Sequence, residues 1–167
     1  MSKFHQGHFR PQNPDKYVGN PRNIVYRSSW ELEFMRWCDR NSSVTKWASE
    51  EFSIPYVSPV DGRVHRYYPD GFVELVTKTG NTKKYIVEVK PKRQCSPPKK
   101  RERITKSYIT EAKMYAVNEA KWAAAKEFAL DNGVEFKIIT EDELGIKPYG
   151  TRGLSNKRHK PSRKPRR

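Results

Sequence analysis

Asp70, Glu88 and Lys90 are the residues of this chain whose types and spacing could do chemistry together. In an extended segment, side chains alternate faces. Glu88 and Lys90 therefore share one face with Ile86, while Val87 and Val89 point the other way, into a core. An acid and a lysine two residues apart read equally well as a solvated strand face. Asp70, in the pair Pro69-Asp70 on a preceding strand, changes the weighting. If the two strands pair antiparallel, its carboxylate approaches Glu88, and two close carboxylates repel unless a cation lies between them. Hard oxygen ligands suit Mg²⁺ or Mn²⁺, which keep several waters and can contact a phosphate. Lys90 beside them could orient or deprotonate a water, or hold a phosphate oxygen. A metal, a water and a cation for developing charge form the minimal equipment for phosphodiester hydrolysis.

Glu31 is a fourth candidate with a competing structural role. Ser28 followed three residues later by Glu31 is a capping-box pattern, in which the glutamate caps the helix N-terminus. At about 100° per residue, however, Glu31 falls between Cys38 and Met35 on the apolar side, and Glu33 lies nearer Arg36 and Arg40. A carboxylate turned towards a core needs a partner, and a metal site could be one.

Several elements must position these residues. Trp30, Phe34, Trp37 and Cys38 recur at helical spacing and predict a helix from Ser28 to about Asn41. Strand candidates follow at 44–48 and 51–57, with a hairpin turn at Asp61-Gly62 between Val57 and Val64. Two better strands, 66–76 and 83–90, are joined by Thr79-Gly80-Asn81 as an antiparallel hairpin. Residues 91–103 are a basic, proline-bearing loop. A long helix is expected over about 107–131, with Ile109, Ala112, Met114, Tyr115, Trp122, Ala125, Phe128 and Ala129 as apolar contributors, stopped by Asn132-Gly133. A last strand over 134–139 and a short helix capped from Thr140 complete a mixed α/β domain built on about one sheet.

The 167 residues suffice for one domain with a real core. Four Trp, nine Tyr and seven Phe supply large side chains for that core, which argues against a wholly disordered chain. Residues 1–24 lack periodicity and predict an extended arm, residues 25–146 the folded domain, and residues 147–167 a basic, flexible or partner-ordered tail. Lys and Arg number 34 against 19 acids, a net charge of +15. Such a surface attracts polyanions, nucleic acid foremost, although acidic partners or anionic lipid would satisfy the same charge. Nine of those net charges fall in the tail. Lys92, Arg93, Lys99, Lys100, Arg101 and Arg103 follow directly after Lys90 and are candidate phosphate contacts, with a solubilising loop as the alternative. Cys38 and Cys95 form no CxxC or disulfide framework, which suits a reducing compartment. No apolar run approaches the ~20 residues of a membrane span, and no signal peptide is expected.

The segments Tyr26-Arg27-Ser28-Ser29-Trp30-Glu31, Glu51-Phe52-Ser53-Ile54-Pro55-Tyr56, Tyr67-Tyr68-Pro69-Asp70 and Val87-Glu88-Val89-Lys90 together resemble the PD-(D/E)xK nucleases. The branch they resemble contains the TnsA-type transposon endonucleases and the head-completion nucleases of T-even-type bacteriophages. The resemblance spans roughly residues 24–144. It implies a restriction-endonuclease-like αβββαβ core with a central mixed sheet flanked by helices. It also implies catalytic roles for Asp70, Glu88, Lys90 and Glu31, and a metal set of Asp70, Glu88, Val89 and Glu31. The cofactor expected is Mg²⁺, with Mn²⁺ as a substitute, and the substrate is double-stranded DNA, cut internally, with digestion from ends as an additional activity left open. For the phage members it implies a late step in making filled heads ready for tails, portal or neck proteins as partners, no membrane, and a place in the virion or host cytoplasm. Glu50 and Glu51 read as surface or supporting residues. Two other readings stay open: a non-catalytic DNA- or portal-binding assembly protein on a nuclease-like fold, and a TnsA-like recombination endonuclease.

Overall fold

A computed structural model describes residues 6–146. The chain begins with a short strand, β1 (Gly7–Phe9), which pairs antiparallel with β2 (Ile24–Tyr26). Helix α1 (Ser29–Arg40) follows, with Ser28 in extended backbone as its cap. Phe34, Met35 and Cys38 form its buried face. Next come β3 (Val44–Ala48), the hairpin of β4 (Ile54–Val57) and β5 (Val64–Tyr67), then β6 (Gly71–Val76) and β7 (Thr82–Val89). A long helix, α2 (Lys106–Asp131), leads to β8 (Glu135–Ile139) and a one-turn helix, α3 (Glu141–Leu144).

The central sheet has the order β3-β6-β7-β8. Its first three strands are antiparallel neighbours, and β8 runs parallel to β7. A parallel neighbour cannot be reached by a tight turn, so the connection carries α2. Read in chain order, α1, β3, β6, β7, α2 and β8 give the αβββαβ order expected from the sequence. Strand alternation sends Val87 and Val89 into a cluster with Phe34, Met35, Cys38 and Trp47 beneath α1. Ile86 faces the opposite side, with Ile54, Tyr67, Ala125 and Ala129 beneath α2. Both faces of the sheet are thus covered, and Glu88 lies on the α2 side, as the period of two requires.

Three expectations need correction. The stretch read as a single strand over 66–76 is two strands. β5 pairs only with β4 in a separate two-stranded sheet, and the chain breaks at Tyr68-Pro69-Asp70 before β6 begins. Pro69 has no N–H to give a ladder and biases the residue before it, so the break falls there. Residues 6–24 are also no bystander to the core: Phe9, Tyr17 and Ile24 are buried in the α1 cluster. Buried Asp39 accepts the backbone N–H groups of Gln12 at 2.8 Å and Asn13 at 2.9 Å. Single apolar anchors separated by turns carry no periodicity, which is why pattern reading passes over them. Finally, Ile109 and Met114 of α2 are exposed; burial on that helix is confined to Trp122, Ala125 and Ala129 in its second half. The tail expected over 147–167 lies outside the described residues.

Candidate active site

The break before β6 puts Asp70 one residue ahead of the Gly71–Val87 pair, and hence opposite Glu88 on β7. Its Oδ2 accepts the Val89 N–H at 2.7 Å, which ties the Pro69-Asp70 corner to the neighbouring strand. Gly71 makes this corner possible from the other side. A Cβ there would lie 2.6 Å from Cε1 of Phe34 and 3.0 Å from the Ala48 carbonyl oxygen, so only glycine lets α1 pack this closely beside Asp70.

Glu88 is 4% exposed and uses both carboxylate oxygens. Oε2 accepts the Tyr67 hydroxyl at 2.6 Å, and Oε1 lies 3.0 Å from the Lys90 ammonium. Burial, then the charge of Glu88, push the Asp70 carboxyl well above the usual carboxylate range; Glu31 adds to the rise, and the Val89 N–H and Lys90 oppose it. For Lys90, burial disfavours the charged form, but the charge and hydrogen bond of Glu88, joined by Asp70, outweigh it and raise the pKa. Burial and Glu88 drive the Tyr67 phenol far above its ordinary value, so it remains a hydrogen-bond donor.

Glu31 stands at the N-terminus of α1, where its charge is felt by both Asp70 and Glu50. Its Oε2 accepts the Arg27 N–H at 2.9 Å and its Oε1 the Ser28 hydroxyl at 3.1 Å. Ser28 caps α1 by accepting the Glu31 N–H at 3.1 Å, but the reciprocal bond of a capping box is displaced by one residue: Glu31 takes the N–H of Arg27, not that of Ser28. Among the described residues, no group of three or more His, Cys, Asp or Glu side chains is disposed to hold a metal ion. The donors that do fit a hard divalent cation are the two carboxylates Asp70 and Glu88, whose mutual repulsion is what such a cation relieves. Val89 contributes no side-chain donor, since its side chain is apolar and buried; only its backbone carbonyl could join the set.

The basic loop divides. Lys92 is pinned to α3, its ammonium 2.8 Å from Asp142 and its N–H 2.8 Å from a Glu141 carboxylate oxygen. Arg101 reaches Glu111 at 3.6 Å. Arg93, Lys99, Lys100 and Arg103 are exposed and have no ion-pair partner among the described residues.

Sequence reasoning missed Tyr67, which donates to Glu88 although it is the last residue of a different sheet. The segment Tyr67-Tyr68-Pro69-Asp70 was visible, but nothing in its spacing shows which tyrosine turns inward. Glu50, read from the sequence as a surface or supporting residue, is half-buried. Among the described residues it is the only non-glycine with positive φ, 47°, and its carboxylate meets Arg27 at 3.1 Å. Burial raises its pKa, with Arg27 opposing and Glu31 reinforcing the rise.

Residues 41–141 match a family model described as TnsA-like endonuclease N terminal. Over 153 residues the chain is 35% identical to the head completion nuclease of Enterobacteria phage T4, a match that covers 89% of this chain and 98% of that protein. No solved structure matches.

Proposed function

The chain belongs to the TnsA-like endonuclease N-terminal family, and on that premise we propose that it is a metal-dependent deoxyribonuclease that hydrolyses phosphodiester bonds of double-stranded DNA. The observation that carries the reading is the convergence of Asp70, Glu88 and Lys90 at one corner of the sheet. There the half-buried Asp70 carboxylate and the buried Glu88 carboxylate stand in mutual repulsion, with the lysine 3.0 Å from Glu88. A binding-only descendant of the fold would have no use for that repulsion, which favours the enzyme over a non-catalytic assembly protein.

Asp70, Glu88 and the Val89 carbonyl would hold the cation, Mg²⁺ or Mn²⁺, which when bound supplies Lewis-acid polarisation and an acidified water. The remaining work falls to this chain's own groups. Lys90, kept charged by its ion pair, presents an ammonium for the negative charge that develops on phosphoryl oxygens. The Val89 N–H holds Asp70 in place, and the capped end of α1 sets Glu31 beside the pair, where its negative charge favours a cation. Arg93, Lys99, Lys100 and Arg103 contact phosphates and position the duplex, with Lys92 and Arg101 joining only if they leave their acidic partners. The T4 relative's name supports carrying its setting over: the chain acts in phage head completion, in the virion or host cytoplasm, with portal or neck proteins as partners. No helix among the described residues is long and apolar enough to cross a membrane.

Incubating the protein with supercoiled and with linear DNA, in Mg²⁺ or in chelator, tests the reading and separates internal cutting from digestion at ends. Asp70→Ala, Glu88→Ala and Lys90→Ala should each abolish cleavage while the protein stays folded. Glu31→Gln retains an oxygen for the cap, so it should melt near wild type yet cut at least about tenfold more slowly at limiting metal, equivalent to ~1.4 kcal/mol. Cleavage near the wild-type rate in Asp70→Ala or Glu88→Ala would sink the assignment.

A further inference from the structure

Glu88 is held from a direction that the catalytic motif does not supply. The donor is Tyr67, 3% exposed, at the end of the β4–β5 hairpin, which lies outside the central sheet and packs against α2. The hydroxyl-to-carboxylate distance of 2.6 Å is that of a charge-assisted bond. The tyrosine ring is itself fixed, buried among Ile54, Ile86, Ala125 and Ala129. Above it lies Lys121 of α2, its ammonium 5.7 Å from the ring centres of both Tyr67 and Tyr56. A cation over the face of a phenol draws electron density from the ring, which makes the hydroxyl a better donor.

We infer that Tyr67 is a positioning residue of the site, and that the inserted β4–β5 hairpin serves as its mount. By holding Oε2 of Glu88 while Lys90 meets Oε1, the phenol fixes a carboxylate that would help hold the cation and prevents it from swinging away. Lys121 strengthens that hold. The inference rests on the metal-dependent reading above. It extends the site beyond the Pro69-Asp70 corner and the β7 strand, to an element that contributes no reacting group. Partners of this kind, which bind a ligating side chain rather than the metal, typically govern affinity by 10–100-fold.

The test is Mn²⁺ binding by the full-length protein without DNA, followed by electron paramagnetic resonance, alongside cleavage at limiting and saturating Mn²⁺. Tyr67→Phe keeps the ring and removes only the hydroxyl. It should weaken Mn²⁺ binding at least about tenfold, while cleavage at saturating Mn²⁺ stays close to wild type, a split that loss of packing alone would not produce. Lys121→Met should weaken Mn²⁺ binding in the same direction and by less; because DNA is absent, a lost phosphate contact cannot imitate this. A folded Tyr67→Phe protein with wild-type Mn²⁺ affinity overturns the inference. If Tyr67→Phe fails to melt cooperatively, unchanged affinity in Lys121→Met overturns it instead. Glu88→Ala separates the two levels of the reading. If it abolishes Mn²⁺ binding while Tyr67→Phe leaves it intact, only the role of Tyr67 falls. If wild type and Glu88→Ala bind Mn²⁺ equally, the metal site falls with it.

Discussion

An aspartate in water ionises near pH 4, but Asp70 holds its proton to higher pH because burial and Glu88, with a contribution from Glu31, disfavour its charge. A folded-state pKa above the unfolded value means that the native protein binds the proton more tightly. The resulting stabilisation is complete below the unfolded pKa and is lost as pH rises through the folded one. At neutral pH the metal-free protein therefore no longer has the full stabilisation that it has in acid. Asp70→Asn removes the charge and keeps an oxygen to accept the Val89 N–H. In chelator at pH 7 it should melt above wild type, with the difference vanishing as pH falls towards about 4. Melting curves across that range check the sign, and a variant less stable than wild type at pH 7 would contradict it. Glu88 and Lys90 were legible from alternation alone, because two residues apart on a strand means one face. The hold of Tyr67 on Glu88 was not, since the two are 21 residues apart and in different sheets.

The elements were mostly legible where one physical signal dominated. Ser28 and Thr140 cap their helices, and Gly80 turns the β6–β7 hairpin with φ of 83°. The break at Pro69 was misread because the apolar and aromatic residues around it suit a strand on either side. Gly71 gave no signal either: its need arises only when Phe34 of α1 arrives beside it. Gly71→Ala should force Phe34 or the Ala48 backbone to shift, costing about 1–3 kcal/mol as overpacking does. Cleavage should fall with it, because the same helix carries Glu31 and the next residue back is Asp70. Denaturant melts read the first effect and DNA cleavage the second. An unchanged melt would mean that α1 can retreat without cost.

At the scale of the whole molecule, the governing quantity is a net charge of +15, nine of it between residues 147 and 167. Charges on a chain segment bind DNA largely by releasing its counterions, so they set how steeply affinity falls with salt. Deleting residues 147–167 should weaken DNA binding and flatten the slope of log affinity against log salt, while single-turnover cleavage of bound DNA proceeds at the wild-type rate. Binding isotherms at several salt concentrations measure the slope. If the truncated protein binds DNA normally at every salt concentration, the tail is no DNA contact, and failure to join phage particles would then identify a protein contact.

The sequence by itself determined the order of the core elements, the shared face of Glu88 and Lys90, the cap at Ser28 and the basic surface. Each follows from interactions between residues near in the chain: a period of two, a three-residue capping reach, a sum of charges. Only the tertiary structure decided that Asp70 sits at a break rather than within a strand, and that Lys92 is spent on α3. It alone buried Phe9, Tyr17 and Ile24, seated α1 against Gly71, and brought Tyr67 onto Glu88. These depend on which surfaces meet after the chain folds, and burial and charge act through that proximity whatever the distance along the sequence.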